Sequence, residues 1–361
     1  MRSVDPLRGA RGPAVALAIG TAAGAVCALV HTPIPWMLGP LFAIAALRVS
    51  GMDLGVPVQV RYTGQWIIGT ALGLYFTPAV MRQVAGVWYL PILAAAFAVA
   101  IGYIAAACLS RLARLDLTTS FFASVPGGAA EMTTLGERFG ARQDKVAAAQ
   151  SLRILLVVAI VPAVFTLAGL RGGDVYTTGT TQFDGAAFVV LMLATLAMGW
   201  LAQRTAVPNG YVLGALAVSI VLTASEARLS AMPAYVSNAA QVMLGCALGS
   251  RFERDFLRGA PRFVGSVMVS VFLSMGLAAL FGVALGLASG QNLATMVLGM
   301  APGGVAEMAI TAKVLQLGVP LVTAFHVMRL IVVLMLTGPL FVRARTWKRG
   351  RSSRAANGRR A

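Results

Sequence analysis

The stretch Val125–Met132 reads VPGGAAEM, with TTSFFAS before it and TTL after it. Proline and paired glycine interrupt helices, and a carboxylate in hydrocarbon costs free energy. A second copy stands at Ala301–Met308, which reads APGGVAEM. One interrupted, acid-bearing segment is an oddity. Two of the same wording in one apolar chain make a pattern that the fold has to explain.

Composition sets the class. Of 361 residues, 58% are hydrophobic and 11% charged, and the mean hydropathy of +0.81 is too high for a soluble domain. Apolar runs of about 16–27 residues, the length a spanning helix needs, recur along most of the chain. The sequence reads as an all-α polytopic membrane protein. Its net charge of +17 is spread over short loops and tails. That is how a topology signal is distributed, and it argues against a nucleic-acid-binding face. Cys27, Cys108 and Cys246 stand singly in apolar segments and predict neither disulfides nor a metal site. The N-terminal apolar run is read as a retained first helix, since GAVC at Gly24–Cys27 lacks the apolar residue a lipobox needs.

Ten full spans are expected, at about 13–30, 35–49, 61–76, 84–109, 146–169, 185–203, 208–224, 235–249, 262–288 and 319–342. Two broken segments fall at about 118–136 and 293–312, each centred on its PGG. Adding 176 maps Pro126, Gly127, Gly128 and Glu131 onto Pro302, Gly303, Gly304 and Glu307. The same offset maps QWIIGTALG from Gln65 onto QVMLGCALG from Gln241, and Arg153 onto Arg329. The chain therefore divides into membrane repeats 1–180 and 181–345, followed by a basic tail, 346–361. Loop charge favours PGG segments that dip into the membrane and return, which leaves five spans per repeat and opposite topology for the two. A discontinuous crossing at each PGG is the alternative. In the dipping arrangement both termini are cytoplasmic, and the membrane is a bacterial inner membrane. The tail, TWKRGRSSRAANGRR, is expected to be disordered and to touch anionic lipid.

Interrupted helices in inverted repeats mark a midplane solute site in secondary transporters. Glu131 and Glu307 lie in the first turn after each break, where a carboxylate either caps its own helix or takes up a proton or cation. Arg153 and Arg329 stand in apolar helices. They are expected either to pair structurally, as Glu131–Arg153 and Glu307–Arg329, or to grip an anionic solute. The glycines after Gln65 and Gln241 read as helix packing, while the two amides could reach solute. His326 shares a helix face with Arg329 and is a weaker candidate; His31 reads as a loop residue.

The paired PGGxAEM segments resemble the AbrB duplication family of bacterial membrane proteins, over essentially the whole chain. By wider kinship that family is similar to the cation–proton antiporter and anion transporter superfamily. The resemblance implies an inverted-repeat fold, a scaffold with a mobile core carrying two crossed discontinuous segments, and elevator-like alternating access. It brings no residue of established role.

The expected function is secondary transport of a small organic, anionic solute, driven by H+ or Na+ and without a cofactor. A membrane regulator of gene expression built on a transporter fold is the alternative. Direct DNA reading is excluded, because no extramembrane stretch could hold a DNA-binding module. An enzyme such as a monooxygenase is disfavoured, since two distant histidines and no cysteine pair make a poor metal site. Expected partners are the lipid bilayer and the solute, with a homodimer left open.

Overall fold

A computed structural model describes residues 6–173, 178, 182–227, 230–252 and 261–357. These residues form 15 helices. Six are long and apolar enough to cross a membrane, namely α1 (Pro6–Leu29, apolar from Gly12), α5 (Tyr89–Ala113), α8 (Gln143–Leu167), α9 (Gly185–Arg204), α12 (Pro261–Ser289) and α15 (Val319–Asn357, apolar to Pro339). The architecture is consistent with a polytopic membrane protein.

The other four expected spans are shorter. They are α2 (Pro35–Ser50), α3 (Val58–Gly73), α10 (Gly210–Ala224) and α11 (Ala234–Gly249), of 15 or 16 residues each. At 1.5 Å per residue they rise about 23–24 Å, short of a hydrocarbon core of about 30 Å. Local stops account for this. Ile34 and Gly51 bracket α2 with left-handed backbone, Pro57 and Pro233 precede α3 and α11, and Asn209 opens α10 at φ 51°. The expected span at α3 runs past its stop, to 76, because Leu74 and Phe76 beyond the helix end are buried.

Short helices suit a protein-lined interior. α2 packs on α1 and α11, α3 on α10 and α11, and α9 on α10, making one group. Its contacts are close because small residues permit them: a Cβ added at Gly69 would lie 2.5 Å from Val212 O, and one at Gly245 would lie 2.5 Å from Met37 O. The packing expected of the glycines is therefore what they do. Alanine at Gly69 or Gly245 forces two backbones apart and should cost about 1–3 kcal/mol, read as a lowered melting temperature of the detergent-solubilised protein. An unchanged melting temperature would mean that the helices slide apart without cost.

A second group contains α5, α8, α12 and α15 with four half-length helices. These are α6 (Leu117–Ser124), α7 (Ala129–Arg138), α13 (Leu293–Met300) and α14 (Val305–Val314). Contact between the groups is sparse: α3 meets α14 and α15, while α4 (Pro78–Gly86) touches α10 and α15. Leu167, Leu280 and Leu287 project outward and are more than two-thirds exposed, as lipid-facing residues would be.

The tail differs from its expectation. α15 continues as helix to Asn357, because the Arg- and Ala-rich sequence beyond Pro339 holds strong helix formers. Residues 358–361 lie outside the described set.

Candidate functional site: a cavity between two broken helices

Each PGG falls between two half-length helices. Asp116 caps α6 through Thr119 N (2.8 Å), and Asn292 caps α13 through Thr295 N (3.0 Å). Past the break the chain folds back on itself. Arg142 N, just after α7, donates to Thr119 Oγ1 at 3.0 Å, and Gly318 N, just after α14, donates to Thr295 Oγ1 at 3.2 Å. The beginning and end of each segment thus meet. Phe122 stacks on Phe139 (5.6 Å between ring centres), and Phe341 of α15 packs on both.

The break leaves carbonyls at the end of one half-helix and amides at the start of the next. Arginine takes the carbonyls. Arg153 of α8 donates to Val125 O (3.1 Å) and Gly127 O (3.0 Å). Arg329 of α15 donates to Ala301 O (2.6 Å) and to Gly303 O. One helical turn earlier, Gln150 Nε2 donates to Phe122 O (2.8 Å) and Val125 O (3.0 Å). His326 holds the matching place in α15, with Nδ1 2.9 Å from Val322 O, a contact that requires the proton on Nδ1.

Glutamate takes the amide ends. Gly128 and Gly304 are the N-cap residues of α7 and α14, and an added Cβ at either would fall 2.0 Å from Oε2 of Glu131 or Glu307. Each carboxylate thus curls back over the start of its own half-helix, where the helix dipole favours negative charge. The first glycine of each pair is covered likewise: a Cβ on Gly127 or Gly303 would clash with Met132 or Met308, both fully buried. The motif reads as a lid of Met and Glu folded over two glycines.

The expected ion pairs Glu131–Arg153 and Glu307–Arg329 do not form; among the described residues neither reaches 4.0 Å. The reason is local. Each guanidinium is committed to backbone carbonyls, and each carboxylate to its own helix start.

Both breaks open on one cavity of about 100 Å³. It is lined by Pro126, Gly127, Gly128, Glu131 and Arg153 on one side and by Gly303, Gly304, Glu307, His326 and Arg329 on the other. Gln65 of α3 also lines it, its Nε2 donating to Asn209 Oδ1 at 3.2 Å. Pro302 is buried in the second break beside the cavity without lining it. Gln241 also does not line it; its amide stands 3.5 Å from Asn238 Oδ1, and α11 presents Leu244 and Leu248 to the cavity instead. The first group of helices therefore supplies one wall and the second group the rest.

Two residues with no part in the sequence-based candidate set stand here. Arg61, at the start of α3, and Arg251, just after α11, both line the cavity. Arg251 feels both Glu131 and Glu307, and Glu307 feels Arg251, Arg61 and Arg153. A wider space of about 640 Å³ adjoins through Ala129, Ala130 and Arg251, lined also by Thr133, Thr134, Asp144 and Ser151. The first break thus borders a vestibule, whereas around the second Val305, Ala306 and Met308 are buried.

The secondary structure of the described residues is helical, and their span-length helices are consistent with a polytopic membrane protein. This chain belongs to the AbrB family: the family model, described as Transition state regulatory protein AbrB, matches residues 36–345. It is 30% identical over 356 residues to the uncharacterized protein YhjN of Bacillus subtilis (strain 168), covering 90% of this chain and 91% of that protein. It is 26% identical over 320 residues to a protein of Escherichia coli (strain K12) named as a candidate regulator, AbrB, covering 87% and 90%.

Proposed function

We propose that this protein is a secondary transporter of a small organic anion in the bacterial inner membrane, with cytoplasmic termini and two inverted repeats whose PGG segments are re-entrant. The observation that carries the reading is the shared cavity, lined by two half-helix starts and four arginines and lying between two sparsely connected helix groups. A solute held there can pass from one side to the other when the PGG-bearing group slides against the α2–α3–α10–α11 group. The vestibule beside Thr134, Asp144 and Arg251 opens toward loops that the charge distribution assigns to the cytoplasm. This is the arrangement of an inward-open state.

The geometry favours protons over sodium. In broken-helix transporters, carbonyls at an unwound break coordinate the driving cation. Here the break carbonyls already receive guanidinium groups. The free variable is then the carboxylate on each half-helix start. Protonating Glu131 or Glu307 removes the negative charge that occupies the amide end and opens that end to an anion from solution. Proton and anion then enter together.

The test is proton-driven uptake into proteoliposomes, preceded by a thermal-shift screen of carboxylates, amino acids, ammonium and sugars with and without sodium. A ligand at a hundred times its Kd stabilises by about 2.7 kcal/mol. A carboxylate hit that strengthens at low pH and ignores sodium is expected; a sodium requirement would overturn the proton assignment. The second reading, a membrane regulator of gene expression, is suggested by the name of the Escherichia coli relative. Expression changes that persist in a flux-dead variant would favour it.

A further inference from the structure

We propose that Arg61 and Arg251 form a subsite for one carboxylate of the solute, and that the solute is a small dicarboxylate. The inference rests on the anion-transport reading above and goes beyond it in naming the residues and the charge of the cargo.

Four guanidinium groups and two carboxylates face the cavity. The terminal nitrogens of Arg153 and Arg329 are spent on break carbonyls, and the two glutamates are folded over their own helix starts. Four arginines against two glutamates leave an excess of two positive charges, and Arg61 and Arg251 meet the glutamates only at longer range. They act on each other as like charges, and among the described residues no carboxylate comes within 4.0 Å of either. Arg61 Nε is buried without a hydrogen-bond partner. Two like charges brought together beside a cavity, one of them with an unmet N–H donor, are stabilised by an anion between them. Planar guanidinium forks match a carboxylate in geometry as well as in charge.

The second carboxylate of the ligand has a matching position. Arg61 and Arg251 belong to one helix group, while the starts of α7 and α14 reach the cavity from the other. A short dianion can place one end on the arginines and the other on a half-helix start whose glutamate is protonated. A monoanion leaves one of the two charges unmatched, and a volume of about 100 Å³ limits the ligand to a short chain. Such a ligand bridges the groups that must slide past each other.

The test is calorimetric titration of the full chain in nanodiscs with succinate, butyrate, succinamide and inorganic phosphate. Succinate should bind, butyrate should bind at least about tenfold more weakly, and succinamide should not bind. Arg61→Gln and Arg251→Gln should each weaken succinate by about tenfold or more, while the Lys variants keep the charge, lose the fork and fall between. Arg142→Gln, which removes an exposed ion pair with Asp144, should bind as the parent does. If the Gln variants do not fold, the Lys variants alone decide. Absence of succinate binding, unchanged affinity in the arginine variants, or the same arginine dependence for phosphate with none for succinate overturns the proposal. Arginine-dependent binding without uptake would sink the transport reading and leave the subsite standing. Uptake that ignores Arg61 and Arg251 would do the reverse.

Discussion

Replacing Arg329 by methionine should lower stability by about 1–3 kcal/mol, and replacing Arg153 should cost less. Each guanidinium donates to two carbonyls at a break; Val125 O and Ala301 O also accept from Gly127 N and Gly303 N (2.8 Å each), so the carbonyl left without its donor is Gly127 O or Gly303 O, at about 1–3 kcal/mol. Removing a desolvated charge offsets part of that loss. The offset does not win here, because the same substitution also uncouples the break from the helix that braces it. The guanidiniums are equally buried, and the exposure beside each break orders the two sites. Ala306 is 5% exposed, whereas the matching Ala130 is exposed and borders the vestibule, where water can replace the lost donors. Lysine at either position reaches one carbonyl rather than two and should recover about half the loss. Thermal unfolding of the solubilised protein measures the series. A melting temperature unchanged in Arg329→Met would show that Gly303 O finds another donor.

The double variant Glu131→Gln/Glu307→Gln should lose proton-driven accumulation by about a hundredfold, the upper range for a coupling between two binding events. Its anion binding should survive and lose its pH dependence, since glutamine mimics the protonated side chain at every pH. The direction follows from geometry. In the parent, raising the pH places negative charge on both half-helix starts and so competes with the anion; in the variant that competition is absent. Binding at high pH should therefore be tighter in the variant than in the parent. Full proton-driven uptake by the double variant would remove the carboxylates from the mechanism.

The duplicated PGGxAEM segments were legible because their residue types conflict with a plain spanning helix. That conflict located both breaks and most of the cavity lining. Arg153 and Arg329 were found for the same reason, as charges inside apolar helices, but their partners were not legible. Sequence pairs Arg with Glu by sign, whereas the structure pairs Arg with carbonyls that exist only because the helix is broken. Arg61 and Arg251 fall among the charges near helix ends that a topology signal explains without any further role. The sequence offset held the missed signal: adding 176 sets Ser237 against Arg61, and subtracting it sets Tyr75 against Arg251, so neither charge has a charged counterpart at that spacing. The expected bounds of α3 run three residues past Gly73, since hydropathy does not distinguish a buried turn from the last turn of a helix; α2, α10 and α11 stand within two residues of their expected bounds.

The close glycine contacts bear on how the chain is assembled. α3 seats on α10, and α2 seats on α11, so the grooves at Gly69 and Gly73 are filled by residues made after the 170–184 connection. A nascent chain that has reached only that connection carries open grooves with nothing yet synthesised to fill them. Its first five long or short apolar helices must wait in the bilayer for their counterparts to emerge from the ribosome. Severed at that connection, the two fragments should form the cavity when made together in one cell, and neither should form it when made alone.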